Sequence, residues 1–253
     1  KPGIMAFLLK KKAEGKIKHL GFSFHDTPEV LDMIIHSYKW DFVQLQLNYL
    51  DWDFQNAKKQ YEIVKEYGVP IIVMEPVRGG TLANLSEESQ KILKAAKPNK
   101  SIASWAIRYA ASKDNVMTVL SGMSNLDQTK DNVKTLTDFK PISKSEQKII
   151  DKALNKFLEN NTIPCTNCKY CMPCPQGVDI PTIFKSFNKY AISKYARAFI
   201  KEYEELGKEK LAENCIACGE CLDHCPQIID IPKRLAEIDK LYHELKEKYP
   251  KKA

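Results

Sequence analysis

Apolar positions along the first half of the chain alternate between two periodicities. Short runs of strand length recur at His19–Phe24, Phe42–Leu47, Pro70–Met74 and Val116–Leu120, rich in β-branched and aromatic residues with turn residues nearby. Between them the apolar positions return every three or four residues: Pro28–Tyr38 behind the capping-type pair Asp26-Thr27, then Phe54–Tyr67, then Ile102–Ser112. Strand and helix alternating at this spacing predict βα units and a parallel sheet, an α/β fold. Pro141-Ile142-Ser143 opens a further helix that runs to about Asn160, and beyond it the pattern turns helical and strand-poor. Two domains are expected, residues 1–160 and residues 161–253.

Composition sharpens that division. All eight cysteines lie in the second domain, in two sets: Cys165, Cys168, Cys171 and Cys174, then Cys215, Cys218, Cys221 and Cys225. The last of each set precedes a proline, Pro175 or Pro226. Three cysteines at two-residue spacing wrap a short loop around a cubane, and a fourth followed by proline leaves the loop to ligate the other cluster. Two 4Fe–4S clusters are therefore expected. Cys165, Cys168, Cys171 and Cys225 would hold one; Cys215, Cys218, Cys221 and Cys174 would hold the other. The first set has two residues rather than three before its fourth cysteine, which leaves the exchange of Cys174 open but not its role as a ligand. Disulfides fit poorly, because paired triplets are not their signature. Zinc gains nothing from a third close cysteine. His224, beside Cys225, reads as a loop residue rather than a ligand.

The two motifs are separated by about 40 residues that read as two helices, one after Asp179-Ile180-Pro181 and one from about Ala196. An all-α, helical ferredoxin-like domain is the expectation. The formal charge of +7 is almost wholly lysine, interleaved with Glu and Asp, which argues against a nucleic-acid surface. No apolar run approaches a membrane span, and the start of the chain lacks a signal-peptide layout, so a cytoplasmic location is expected.

The strand-like segments resemble a family. GKIKHLGFSFHD (15–26), FVQLQLNY (42–49), PIIVMEPVRGG (70–80) and VLSGMSNLDQTKDN (119–132) resemble the fifth to eighth strands of the aldo-keto reductase barrel. With the cysteine-rich tail, the chain is similar to ferredoxin-containing members of that family. The resemblance implies a partial (β/α)8 barrel, strands five to eight only, binding NAD(P)H at the C-terminal strand ends. It implies that Ser23 and Gln44 hydrogen-bond the nicotinamide carboxamide and that Met74 stands where many relatives stack an aromatic ring. The backbone at Arg78-Gly79 and the Gly122–Asn132 loop would face the pyrophosphate and adenosine. Phe24 replaces an asparagine usual in the family, and Gln128 stands where NADP-preferring relatives often carry arginine. His25 reads as structural.

No segment matches the first four strands, which carry the family's catalytic Asp, Tyr, Lys and His, so no catalytic residue is assigned. The expectation is the C-terminal part of a longer NAD(P)-linked oxidoreductase, or else a half barrel closed by a partner or a second copy. Its partners would be a small carbonyl or quinone substrate and a redox carrier protein. The alternative is an electron-transfer or interaction module without reductase activity.

Overall fold

In the computed structural model, which describes residues 3–137 and 139–250, the strand-like runs become β1 (Gly21–Ser23), β2 (Phe42–Gln46), β3 (Ile71–Met74) and β4 (Val116–Val119). They form one parallel sheet with neighbours in chain order. Helices α1 (Ile4–Ala13), α2 (Pro28–His36), α3 (Asp51–Phe54), α4 (Ala57–Tyr67), α5 (Glu87–Ala96), α6 (Ile102–Ala111), α7 (Leu126–Thr137) and α8 (Lys144–Leu158) precede, separate and follow the strands along the chain. The tail carries α9 (Ile180–Ser193), α10 (Ala196–Glu204), α11 (Glu220–Asp223) and α12 (Ile231–Lys248). Among the described residues, no helix is long and apolar enough to cross a membrane.

The chain divides into two compact units. One comprises the residues up to Arg78 with Ala96–Ile150; the other comprises Gly79–Ala95 with the residues from Asp151 onward. In the first unit the sheet has two unlike faces. Val43, Leu45, Ile71 and Val73 are fully or almost fully buried, as alternation along a pleated strand requires. Their neighbours Gln44, Ile72 and Met74 are only half-buried.

Where the helices depart from the expected ones, the cause is local. The single helix expected over Phe54–Tyr67 breaks because Asn56 takes a left-handed conformation (φ 52°), and α4 stops at Gly68 (φ 85°). Helix α7 buries few apolar side chains. In α7 it is Asn132 and Thr135 that are buried, while Leu126 and Val133 are exposed. The segment from Gly122 to Asn132 is thus only partly loop, since α7 begins at Leu126.

Helix α8 begins with a reciprocal cap. The Glu146 amide donates to Ser143 Oγ (3.2 Å), and the Ser143 amide donates to Glu146 Oε2 (2.9 Å). Arg108 forks onto the same carboxylate at 2.9 and 3.2 Å, and Lys97 reaches it at 2.8 Å. Burial alone would raise this carboxyl, but the bonds from Arg108, Lys97 and the Ser143 amide outweigh it and hold it at about 2, against an ordinary 4.5. A depressed acid contributes stability above its ordinary value and loses it as pH falls through the depressed one. Thermal melts should therefore drop between about pH 4.5 and pH 2, and less steeply in Glu146→Gln. Parallel pH curves for the two proteins would contradict this.

The second unit has its own core, formed by Ile163, Val178, Ile183, Phe184, Phe199, Tyr203, Ile231, Leu235 and Ile238 among others. Its two cysteine motifs are copies of one unit. Cys174-Pro-Gln-Gly-Val-Asp-Ile-Pro181 matches Cys225-Pro-Gln-Ile-Ile-Asp-Ile-Pro232. The copies fold alike. Gly177 and Ile228, at equivalent positions, are both left-handed, and their amides donate to the carbonyls of Cys174 and Cys225 at 2.9 and 3.0 Å. Asp179 then caps α9 and Asp230 caps α12, each followed by proline in the first turn. This duplication was readable in the sequence and positions both cysteine loops.

Candidate functional site

Each cysteine loop turns through left-handed residues between its thiols: Asn167 and Lys169 in the first, Ala217 and Gly219 in the second. Cys165, Cys171, Cys174, Cys215, Cys221 and Cys225 pack against the tail's core, whereas Cys168 and Cys218 are exposed. A cavity of about 250 Å³ is lined by Cys174, Cys215, Cys218 and Cys221, with Cys171 also on its wall.

Electrostatic neighbours sort the thiols into two sets. Burial, then Cys165 and, more weakly, Cys225 and Cys168, push the Cys171 thiol up to about 12. Burial, then Cys215, Cys218 and Cys174, push Cys221 up to about 11. Each set joins the first three cysteines of one loop to the last cysteine of the other. Among the described residues, no three His, Cys, Asp or Glu side chains are gathered as a single ion needs. A cubane asks for a different arrangement, four thiolates standing around a void, and the second set has such a void. The Asn167 amide also donates to Cys165 Sγ at 3.4 Å.

A second constellation lies on the half-buried face of the sheet. Register places Ser23 opposite Gln44. Gln44 Nε2 donates to Ser23 Oγ and to Met74 Sδ, both at 3.4 Å, and Ser23 Oγ lies 3.8 Å from the same sulfur. The strands thus bring Ser23, Gln44 and Met74 together. Phe24 is buried in the core, and His25 is exposed.

The remaining expected positions are held differently. The Arg78 side chain is fully buried, with Nε donating to Asp51 Oδ1 at 2.8 Å. Asp51 Oδ2 accepts from Gln46 (2.7 Å) and Asn48 (2.6 Å), and Asn48 Nδ2 also donates to the Glu75 carbonyl at 3.0 Å. Only the backbone of Arg78 is left to meet a ligand. The network ties down the turn after β3, where Glu75 and Arg78 are both left-handed. Gly79 (φ 58°) belongs to the other unit, and a Cβ there would come within 2.6 Å of the Thr166 carbonyl oxygen. Gly122 has open space around it. Gln128 accepts from the Ser124 amide at 2.8 Å, and Asn132 donates to Ser121 Oγ at 2.9 Å, fastening the β4–α7 loop to its helix.

Comparison with known proteins finds two family models along the chain. Residues 2–155 match the model of the aldo/keto reductase family, and residues 164–229 match that of a 4Fe-4S dicluster domain. Among solved structures, the chain is similar to the aldo-keto reductase AKR11C1 from Bacillus halodurans, at 26% identity and a TM-score of 0.48. The match covers 59% of this chain and 54% of that protein's holo form. It is also similar to the thermostable aldo-keto reductase Tm1743 in complex with the inhibitor epalrestat, at 21% identity and a TM-score of 0.49, covering 60% of this chain and 56% of that one. The chain spans about half the length of these solved reductases. None of the curated proteins matches it. The reductase model takes in more than half of the sequence, so the chain belongs to the aldo/keto reductase family, and a 4Fe-4S dicluster domain follows its reductase segment.

Proposed function

We propose that this chain works within an NAD(P)-linked oxidoreductase, as the cofactor-binding end of a reductase barrel joined to two 4Fe–4S clusters. The observation that carries the reading is the sorting of eight thiols into two sets, one of them around a cavity of about 250 Å³. Cys165, Cys168, Cys171 and Cys225 hold one cluster; Cys215, Cys218, Cys221 and Cys174 hold the other. When bound, the clusters supply single-electron steps and the nicotinamide supplies a hydride. The chain's own residues bind and orient. Ser23 Oγ and the Gln44 amide meet the nicotinamide carboxamide, and the Met74 thioether is a soft apolar wall for the ring. The Arg78 backbone and the segment from Gly122 through Gln128 to Asn132 border the rest of the dinucleotide.

On this reading β1 to β4 are strands five to eight of a (β/α)8 barrel, residues 1–160 form the reductase part, and residues 161–253 form a helical ferredoxin-like domain. The half-buried sheet face fits a barrel interior. A small carbonyl or quinone is the substrate class, in the cytoplasm, and the protons for its reduction come from outside this set of residues.

The test is anaerobic reconstitution followed by titration with NADPH and NADH. Saturable binding is expected, and the Ser23→Ala/Gln44→Ala pair should weaken it about tenfold by removing two hydrogen bonds, with iron content unchanged. A fully iron-loaded chain that binds neither nucleotide would remove the nicotinamide half of the proposal.

A further inference from the structure

Charge is distributed unevenly over the tail. Between Lys210 and Lys233 the chain carries Glu213, Glu220, Asp223 and Asp230 and neither lysine nor arginine, in a protein with 39 basic and 32 acidic residues. All four carboxylates are exposed. Glu220 and Asp223 lie within the second cysteine loop, Glu213 just before it and Asp230 just after it; in this loop Cys218 is exposed, and Glu220, Ile216 and Tyr170 stand at the wall of the cavity described above. Ile216 is 64% exposed, Tyr170 62% and Leu222 41%. Ile216 and Tyr170 share the cavity wall with Cys218 while most of each side chain is left in water, and the exposed carboxylates of Glu220 and Asp223 belong to the same loop as Ile216 and Cys218. They have the make-up of a contact face: an apolar centre for desolvation and a charged rim for steering. Thiolates around a bound cluster would deepen the negative potential. Lys169 is the one cation within the two cysteine loops.

We infer that this face docks a protein carrier of single electrons whose own redox centre is ringed by lysine. The inference rests on the cluster reading above and adds the place and chemistry of the partner. Electron carriers meet through small, short-lived contacts, and complementary charge sets how fast they find each other. One electron is exchanged per encounter, the carrier losing what the cluster gains or the reverse, and no bond is made or broken.

The experiment uses the full iron-loaded chain and, as probe, mitochondrial cytochrome c, a small basic protein with an exposed haem edge. Binding is followed by calorimetry at low and at physiological salt. Electron transfer from the dithionite-reduced chain is followed by stopped flow, with a small neutral dye as the acceptor that needs no docking. Binding should weaken as salt rises. Glu213→Lys/Asp223→Lys should raise Kd about tenfold, and Glu244→Lys/Glu247→Lys on α12, the same change in net charge, less than about twofold. Transfer to cytochrome c should fall with binding while transfer to the dye holds. Should the double variant lose iron, Glu213→Lys alone decides, with about threefold weaker binding expected. Equal effects from the two double variants would overturn the inference. So would salt-independent binding, equally tight binding of an acidic flavodoxin, or self-association that shuts out cytochrome c. Iron and acid-labile sulfide, assayed on the same samples, report on the clusters separately from docking.

Discussion

Cys225→Ala is expected to remove about four of about eight irons, and the cluster lost is the one held by the other loop. Sequence proximity predicts the opposite, because Cys225 lies four residues from Cys221 and 54 from Cys171. Yet Cys225 is among the neighbours whose charge raises the Cys171 thiol, and Cys174 is among those that raise Cys221. The mirror variant, Cys174→Ala, should spare the cluster at Cys165, Cys168 and Cys171 and lose the one at Cys215, Cys218 and Cys221. Iron and sulfide analysis gives the count. The identity of the lost cluster follows from combining each variant with Cys168→Ala or Cys218→Ala. A pair aimed at one cluster should lose no more iron than a single variant; a pair aimed at both should lose nearly all of it. If Cys225→Ala and Cys218→Ala behave as one site, the exchange is wrong. The loss should extend to structure as well, since six of these cysteines pack on the tail's core and cluster binding is coupled to folding.

The second large effect lies in the reductase unit. Arg78→Ala should destabilise it by about 3–5 kcal/mol, because it leaves the Asp51 carboxylate buried without its cation. Asp51 and Arg78 are both fully buried, and the pair is held at 2.8 Å with Gln46 and Asn48 on the second carboxylate oxygen. Removing both charges together, as Asp51→Leu/Arg78→Met, should restore much of that loss by exchanging the pair for apolar contact. Urea unfolding followed by tryptophan fluorescence measures both, since Trp52 is next to Asp51 in the chain. A single variant as stable as the parent would mean that water reaches the pair.

The strands were legible because β-branched runs such as Pro70–Met74 have one reading, and the cysteine ligands because their spacing is specific. Ser23, Gln44 and Met74 could be grouped only through a family resemblance, yet the sheet register brings them into contact. Other features stayed hidden for physical reasons. Helix α7 turns polar Asn132 and Thr135 inward, so its hydrophobic periodicity misleads. The burial of the Arg78 side chain is hidden because its partner, Asp51, lies 27 residues away in the chain. Left-handed turns at Ala217 and Ile228 cannot be guessed from residue types that ordinarily avoid them.

The paired tail also bears on ancestry. On the proposed ligand exchange, a lone copy of the Cys-Pro-Gln-x-x-Asp-Ile-Pro unit, with its preceding cysteines, would carry three thiols for its own cluster and a fourth committed elsewhere. Such a peptide could complete a metal site only by meeting a second copy of itself. Two copies in one chain therefore have the form of a homodimer made covalent by duplication and fusion, so that assembly of the metal sites no longer depends on concentration. Divergence between the copies can then proceed outside the ligands, and the two loops do differ there, with acids in the second and Lys169 in the first.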